Sequence, residues 1–114
     1  MSADLQTGKK IQELQSMEQN LQNFAMQKQV LQAELNEIDN ALAEISTADD
    51  DIYKMTAGIM IKTEKKNITK DLNEKKRVIE LRAQSFEKQE KIIEDKASKL
   101  RAEVTESVKK SPQK

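Results

Sequence analysis

The sequence has no cysteine, no histidine and no tryptophan, and its 114 residues include only one proline and two glycines. Without cysteine and histidine, disulfides, thiolate nucleophiles and the usual zinc or haem ligands are excluded. We therefore expect no metal and no cofactor. A cytoplasmic protein needs no disulfides, so the composition favours the cytoplasm. No apolar run approaches the ~20 residues of a membrane span. Residues 1–10 are polar, unlike a signal peptide, so no membrane partner is expected.

Aromatic residues make up 3% of the chain, whereas charged residues make up 35% and hydrophobic residues 36%. So few aromatic side chains cannot fill a compact core, yet the apolar content is too high to require disorder. This balance is typical of long amphipathic helices that bury one narrow stripe and leave the rest in water.

A heptad pattern fills the first part of the chain, about residues 5–46. Nine of the ten a and d positions between residues 14 and 45 are apolar, which predicts a coiled-coil helix. The exception is Lys28. It either fixes the register of the coiled coil, or it lies with its aliphatic stem along the seam and its charged end in solvent. The seam predicted for this helix consists of Leu21, Phe24, Leu31, Leu35, Ile38 and Leu42.

A second heptad pattern covers about residues 65–109, with apolar residues every seven positions and mixed residues between them. Its predicted seam consists of Leu72, Ile79, Phe86 and Ile93. Pro112 marks the end of this helix, and residues 110–114 form a polar tail. Residues 1–46 carry three basic and seven acidic side chains, whereas residues 64–114 carry 15 basic and 10 acidic ones. These opposite net charges favour antiparallel pairing of the two helices within one chain.

The connector, about residues 47–64, interrupts the helical pattern with β-branched and aromatic residues around Gly58. This predicts one β-hairpin, with glycine supplying the positive φ of the turn. The Asp49-Asp50-Asp51 triplet ends the first helix and lacks the alternate spacing of a calcium loop. An isolated hairpin is marginal in water and has unpaired edges, so we expect strands from other subunits to complete the sheet. The predicted oligomerisation residues are Ile52, Tyr53, Met55, Gly58, Ile59, Met60 and Ile61.

The predicted fold is mainly α: an antiparallel two-helix coiled-coil hairpin with one short β-hairpin at the helix connection, in a single domain over residues 1–114. An enzyme is not expected, because two helices offer no concave pocket and the chain has no phosphate-binding glycine loop. A self-associating coiled-coil scaffold or tether remains the alternative. Nucleic acid is not an expected partner, because acidic residues alternate with the basic ones and aromatic residues are scarce.

The layout resembles prefoldin, specifically its β class. The resemblance rests on Asp51-Ile52-Tyr53-Lys54, on Gly58-Ile59-Met60-Ile61-Lys62 with Glu64, and on the heptad helices that flank them. Further similarities are Gln27-Lys28-Gln29 and Leu35-Asn36-Glu37 in the first helix, and Arg82 with Gln89-Glu90-Lys91-Ile92 in the second. The connector has room for one hairpin, whereas α-class prefoldin subunits carry two. Both an archaeal β subunit and a eukaryotic β-type paralogue fit this pattern.

The resemblance implies an ATP-independent chaperone: a hexamer of two α-class and four β-class subunits, joined through their hairpins. Its coiled-coil tips would hold unfolded client polypeptides and pass them to a group II chaperonin. The apolar residues available at the tip, where the N- and C-terminal ends of the chain meet, are Leu5, Ile11, Leu14, Met17, Leu100, Val104 and Val108. Leu14, Met17, Leu100 and Val104 also fit a purely structural role in closing the coiled coil, whereas Leu5, Ile11 and Val108 favour client contact.

Overall fold

The computed structural model describes residues 2–49 and 51–110, with side chains over residues 5–49 and 51–109. Helix α1 covers Ser2–Thr47 and helix α2 covers Lys65–Lys110. Strands β1, Ile52–Thr56, and β2, Ile59–Thr63, lie between them. The predicted fold class is confirmed: two long helices are joined through one short antiparallel β-hairpin. The predicted helix bounds, 5–46 and 65–109, differ from these by at most three residues. Lys110, predicted as the start of the tail, is the last residue of α2, and residues 111–114 lie outside the described part.

The helices are long because nothing within them stops a helix. Gly8 is the one glycine in the two helices, and Pro112 follows α2. Helix α1 ends at Thr47, where the Ser46 and Thr47 hydroxyls donate to the carbonyls of Ala43 and Glu44 at 2.6 and 3.2 Å. Both hydroxyls thus bond back onto the last turn of the helix, three residues earlier in the chain.

The chain divides into two compact units. The terminal unit combines residues 1–28 with residues 85–114, and the hairpin unit comprises residues 29–84. Each unit contains a stretch of both helices, and the hairpin unit also contains the two strands. The prediction of a single domain over residues 1–114 stays a prediction.

In the terminal unit the two helix segments run antiparallel. Lys10 Nζ lies 3.4 Å from Glu103 Oε2, and further along α1 Lys28 Nζ lies 2.6 Å from Glu90 Oε1. Rising residue numbers in α1 therefore meet falling numbers in α2. The buried residues are Ala97 and Leu100.

The helix segments of the hairpin unit are antiparallel as well. Asp39 Oδ1 lies 2.7 Å from Lys76 Nζ, and the Ser46 carbonyl lies 3.2 Å from Lys65 Nζ. The core of this unit is a narrow apolar stripe. Its buried members are Leu31, Ile38, Ile52 and Ile79.

Candidate functional site

The β-hairpin turns through two residues, Ala57 and Gly58, that both have positive φ values of 50° and 78°. Positive φ at both central positions defines a type I′ turn, whose twist matches that of the flanking strands. The strands pair from Thr56 with Ile59 at the turn to Ile52 with Thr63 at the helices. Gly58 was predicted as the turn residue, whereas the left-handed backbone of Ala57 was not predicted, because alanine rarely adopts it.

Each face of the hairpin carries its own set of side chains, because directly paired residues share a face and successive residues alternate. One face consists of Tyr53, Met55, Met60 and Lys62, and the other of Ile52, Lys54, Thr56, Ile59, Ile61 and Thr63. Five large apolar side chains, Tyr53, Met55, Ile59, Met60 and Ile61, are more than half exposed. Both faces of the hairpin therefore expose large apolar side chains.

Ile52 differs from the other predicted oligomerisation residues because it is only 9% exposed. It lies in a groove at the base of the hairpin, together with Ile45 from α1 and Leu72 from α2. Ile52 therefore holds the hairpin against the helices, and its part in an oligomer interface stays a prediction.

The outer edges of the hairpin are open among the described residues, since each strand has only the other as a partner. The residues flanking a two-residue turn form a hydrogen-bonded pair, so bonding alternates from Thr56 and Ile59 onwards. The backbone groups of Tyr53 and Met55 then point outward from β1, and those of Met60 and Lys62 from β2. Such edges can accept a further strand on either side.

Charged side chains fix the base of the hairpin. Lys62 Nζ lies 3.3 Å from Asp51 Oδ1 across the two strands. Lys65, the first residue of α2, donates to the Ser46 and Ala48 carbonyls at 3.2 and 3.5 Å. Helix α1 has no basic residue in its own last turn, so Lys65 supplies the positive charge that favours a helix C-terminus. Within the Asp49–Asp51 triplet, Asp50 lies outside the described residues.

The ten predicted seam residues all lie where the helices are least exposed. Leu31, Ile38 and Ile79 are buried, and the other seven are half-buried. In the terminal unit the rings of Phe24 and Phe86 lie 5.7 Å apart at an interplanar angle of 44°. This geometry is within the favourable range for aromatic pairs.

Lys28 interrupts the apolar seam and pairs with a carboxylate on the opposite helix. Its side chain is 33% exposed and that of Glu90 is 16% exposed. The hydrogen bond to Glu90 raises the pKa of Lys28 above its ordinary value of 10.5, although partial burial lowers it. The hydrogen bond and charge of Asp39 likewise raise the pKa of Lys76 in the hairpin unit. Because a polar residue in a seam loses its partner when the helices slide, these pairs favour one register.

The predicted tip residues fall into two groups within the terminal unit. Leu5, Ile11 and Val108 are exposed, with Leu5 71% accessible. Leu14, Met17 and Val104 are half-buried, and Leu100 is only 9% exposed. The first group is therefore accessible to solvent, while the second group lies in the helix seam. Two exposed ion pairs, Lys10 with Glu103 and Glu18 with Arg101, flank this region.

Sequence reasoning missed a set of exposed apolar residues on the outer faces of the helices. They are Met26 and Val30 on α1, and Val78, Leu81 and Ile92 on α2. The sequence did indicate this exposure, since these residues are apolar but none of them occupies an a or d position of the heptads. No helix among the described residues is long and apolar enough to cross a membrane.

Two long helices, paired antiparallel in each unit and joined through one exposed β-hairpin with open edges, define a class of helical-hairpin proteins. The family described as prefoldin subunit matches residues 8–111. The chain therefore belongs to the prefoldin subunit family, which is a chaperone family.

Similar proteins point to the β class within this family. The chain is 33% identical to prefoldin subunit beta of Saccharolobus islandicus over 98 residues, covering 84% of this chain and 78% of the relative. It is 35% identical to prefoldin subunit beta of Thermococcus kodakarensis over 99 residues, covering 85% of each. The crystal structure of the prefoldin beta subunit from Thermococcus strain KS-1 matches with a TM-score of 0.84 and 34% identity, covering 94% of this chain and 95% of that one. The resemblance inferred from the sequence is confirmed.

Proposed function

We propose that this chain is the β-class subunit of a heteromeric, ATP-independent chaperone, which holds unfolded polypeptides at its terminal unit and passes them to a group II chaperonin. The proposal includes two α-class subunits with four β-class subunits, a non-enzymatic mechanism and a cytoplasmic location. The observation that carries it is the presence of exposed apolar side chains both on the hairpin and at the ends of the helices.

Assembly through the hairpin is supported by its faces and its edges. A two-stranded sheet is marginal in water, because backbone groups along both edges lack ladder partners. Tyr53, Met55 and Met60 on one face, and Ile59 and Ile61 on the other, are exposed. Strands from neighbouring subunits would pair with the edges and cover these side chains.

Holding of unfolded chains is supported by the exposed residues of the terminal unit. Leu5, Ile11 and Val108 are separated side chains rather than parts of one pocket, so they suit short apolar segments of varied sequence. Each contact would be weak, and several subunits in one complex would bind a client with higher avidity. Release to a chaperonin then requires no nucleotide, because no single contact is tight.

The assembly part can be tested with Ile61→Asp. We expect the unmodified chain, mixed with an α-class prefoldin subunit, to form a hexamer by light scattering. Ile61→Asp would place a charge in the shared sheet and prevent this. Val78→Asp is the matched control, since Val78 is 53% exposed and Ile61 52%, but Val78 lies on α2. A stable homodimer that ignores the α-class subunit would favour the scaffold alternative instead.

The client part can be tested with a triple serine variant at Leu5, Ile11 and Val108. We expect it to form the same complex but to lose suppression of aggregation of a denatured client, measured by turbidity. Serine at Met26 and Val30, which are exposed on the outer face of α1, provides the control and should keep suppression. Equal suppression by both variants would contradict client holding by the tip residues.

A further inference from the structure

Two methionines lie opposite each other on the hairpin. Met55 of β1 is paired in register with Met60 of β2, and their side chains are 70% and 63% exposed. They occupy a pair without ladder hydrogen bonds, in which the Cβ atoms of opposed residues are about 5 Å apart. The two thioether sulfurs therefore share one accessible face with Tyr53.

We infer that Met55 and Met60 form an oxidation site through which peroxide-class oxidants block the assembly of the free subunit. The inference rests on the proposed assembly through the hairpin. It concerns the chain before assembly, when this face is accessible.

The chemistry needs only the peroxide. With hydrogen peroxide, the sulfur of a methionine side chain attacks one oxygen, an S–O bond forms and the O–O bond breaks. The proton of the transferred oxygen passes to the departing hydroxide, so a sulfoxide and one water form. Sulfur is oxidised by two electrons and the peroxide is reduced by two. The chain has no cysteine to compete for the oxidant, so its methionine thioethers are its most readily oxidised groups.

Position decides which methionines react and how their oxidation affects assembly. Met17 is half-buried in the helix seam, and Met1 lies outside the described residues. Met26 is 65% exposed on the outer face of α1, so it should react like the hairpin pair. A sulfoxide there stays in water, whereas a sulfoxide at Met55 or Met60 would be buried in the completed sheet. Burial of a polar group without a partner disfavours assembly, and burial in the complex would shield both sulfurs from oxidant.

The test compares the full-length chain before and after hydrogen peroxide. Mass spectrometry of peptides locates the added oxygen, and light scattering with an α-class prefoldin subunit measures the concentration at which half of the chain is assembled. We expect oxidation at Met26, Met55 and Met60, and a rise of about tenfold or more in that concentration. Methionine sulfoxide reductases should reverse it.

Variants separate the sites. Met26→Leu should remain sensitive to peroxide, whereas Met55→Leu combined with Met60→Leu should assemble equally well before and after treatment. If the double variant fails to assemble at all, reductase rescue of the oxidised Met26→Leu chain still decides the question, because its exposed methionines among the described residues are Met55 and Met60. Equal loss of assembly in an assembly-competent double variant, or normal assembly of wild type carrying both sulfoxides, would overturn the inference alone. If the untreated chain did not assemble, the proposed assembly and the oxidation site would both be rejected.

Discussion

Replacing Ala57 with asparagine should stabilise the hairpin by about 1 kcal/mol, because a non-glycine residue in the left-handed region costs about 1–2 kcal/mol. The φ of Ala57 is 50°, and the following Gly58 has a φ of 78°. Asparagine tolerates this backbone conformation and precedes glycine in the commonest type I′ turns. Glycine at position 57 would gain less, since it also increases the conformational entropy of the unfolded chain.

Gly58→Ala is the reciprocal change, and its size can be estimated from the surroundings of the turn. A Cβ atom at Gly58 would meet no atom within 4 Å, so no steric clash contributes. The expected loss is therefore the backbone term alone, about 1–2 kcal/mol. Together the two variants vary the stability of the turn in both directions without altering either strand.

Hydrogen exchange of the amides in residues 52–63 measures this effect directly. One kilocalorie per mole corresponds to about a fivefold change in protection, provided that exchange occurs through opening of the hairpin. We expect slower exchange in Ala57→Asn and faster exchange in Gly58→Ala, with helix amides unchanged. Identical exchange in Ala57→Asn and wild type would refute the idea that Ala57 strains the turn.

Three further changes probe the helices. Ile79→Ala should destabilise the chain by about 2–5 kcal/mol in thermal unfolding followed by circular dichroism, because Ile79 is 3% exposed. Val78→Ala, at an exposed position, should change stability by less than about 1 kcal/mol. Equal effects of the two changes would contradict the assigned seam. Pairing with Glu90 raises the pKa of Lys28 in the folded chain, so the pair contributes to folding stability. This contribution is fully present below the unfolded-state pKa of 10.5 and is lost as the pH rises through the higher folded-state pKa. Urea midpoints measured from pH 9 to 12 should therefore fall less steeply in Lys28→Gln, and unchanged steepness would rule out this contribution. Gly8→Ala should stabilise the surrounding helix by about 0.5–1 kcal/mol and so slow exchange of nearby amides, since the added Cβ meets nothing within 4 Å. Unaltered exchange would show that the low helix propensity of glycine does not limit stability there.

The helices and the hairpin were predictable from the sequence because each depends on a local repeat. Apolar residues at alternating steps of three and four specify one buried stripe, and β-branched residues around Gly58 specify a short paired segment. These patterns can be recognised in one sequence, since they reflect local backbone geometry and not contacts with distant residues.

The contacts between the helices were not predictable in the same way. A heptad pattern is unchanged when one helix slides by seven residues, so it does not specify the partner of Lys28 or of Phe24. The capping role of Lys65 depends on where two distant helix ends meet, and the left-handed backbone of Ala57 runs against its own propensity. Charge pairs such as Lys28 with Glu90 help to determine the register of the two helices. They can be identified only when the positions of both helices are known.

The contact of Lys65 with the end of α1 also bears on the order of folding. Ser46 and Lys65 are separated by 19 residues, whereas Lys10 and Glu103 are about 90 residues apart. Loop closure over the longer distance costs about 1.4 kcal/mol more by chain entropy alone. Helix pairing is therefore expected to nucleate at residues 46 and 65 and to extend towards the termini. A nascent chain would gain the cation at the end of α1 only after Lys65 has been synthesised, and the last segments to pair would be those bearing Leu5 and Val108.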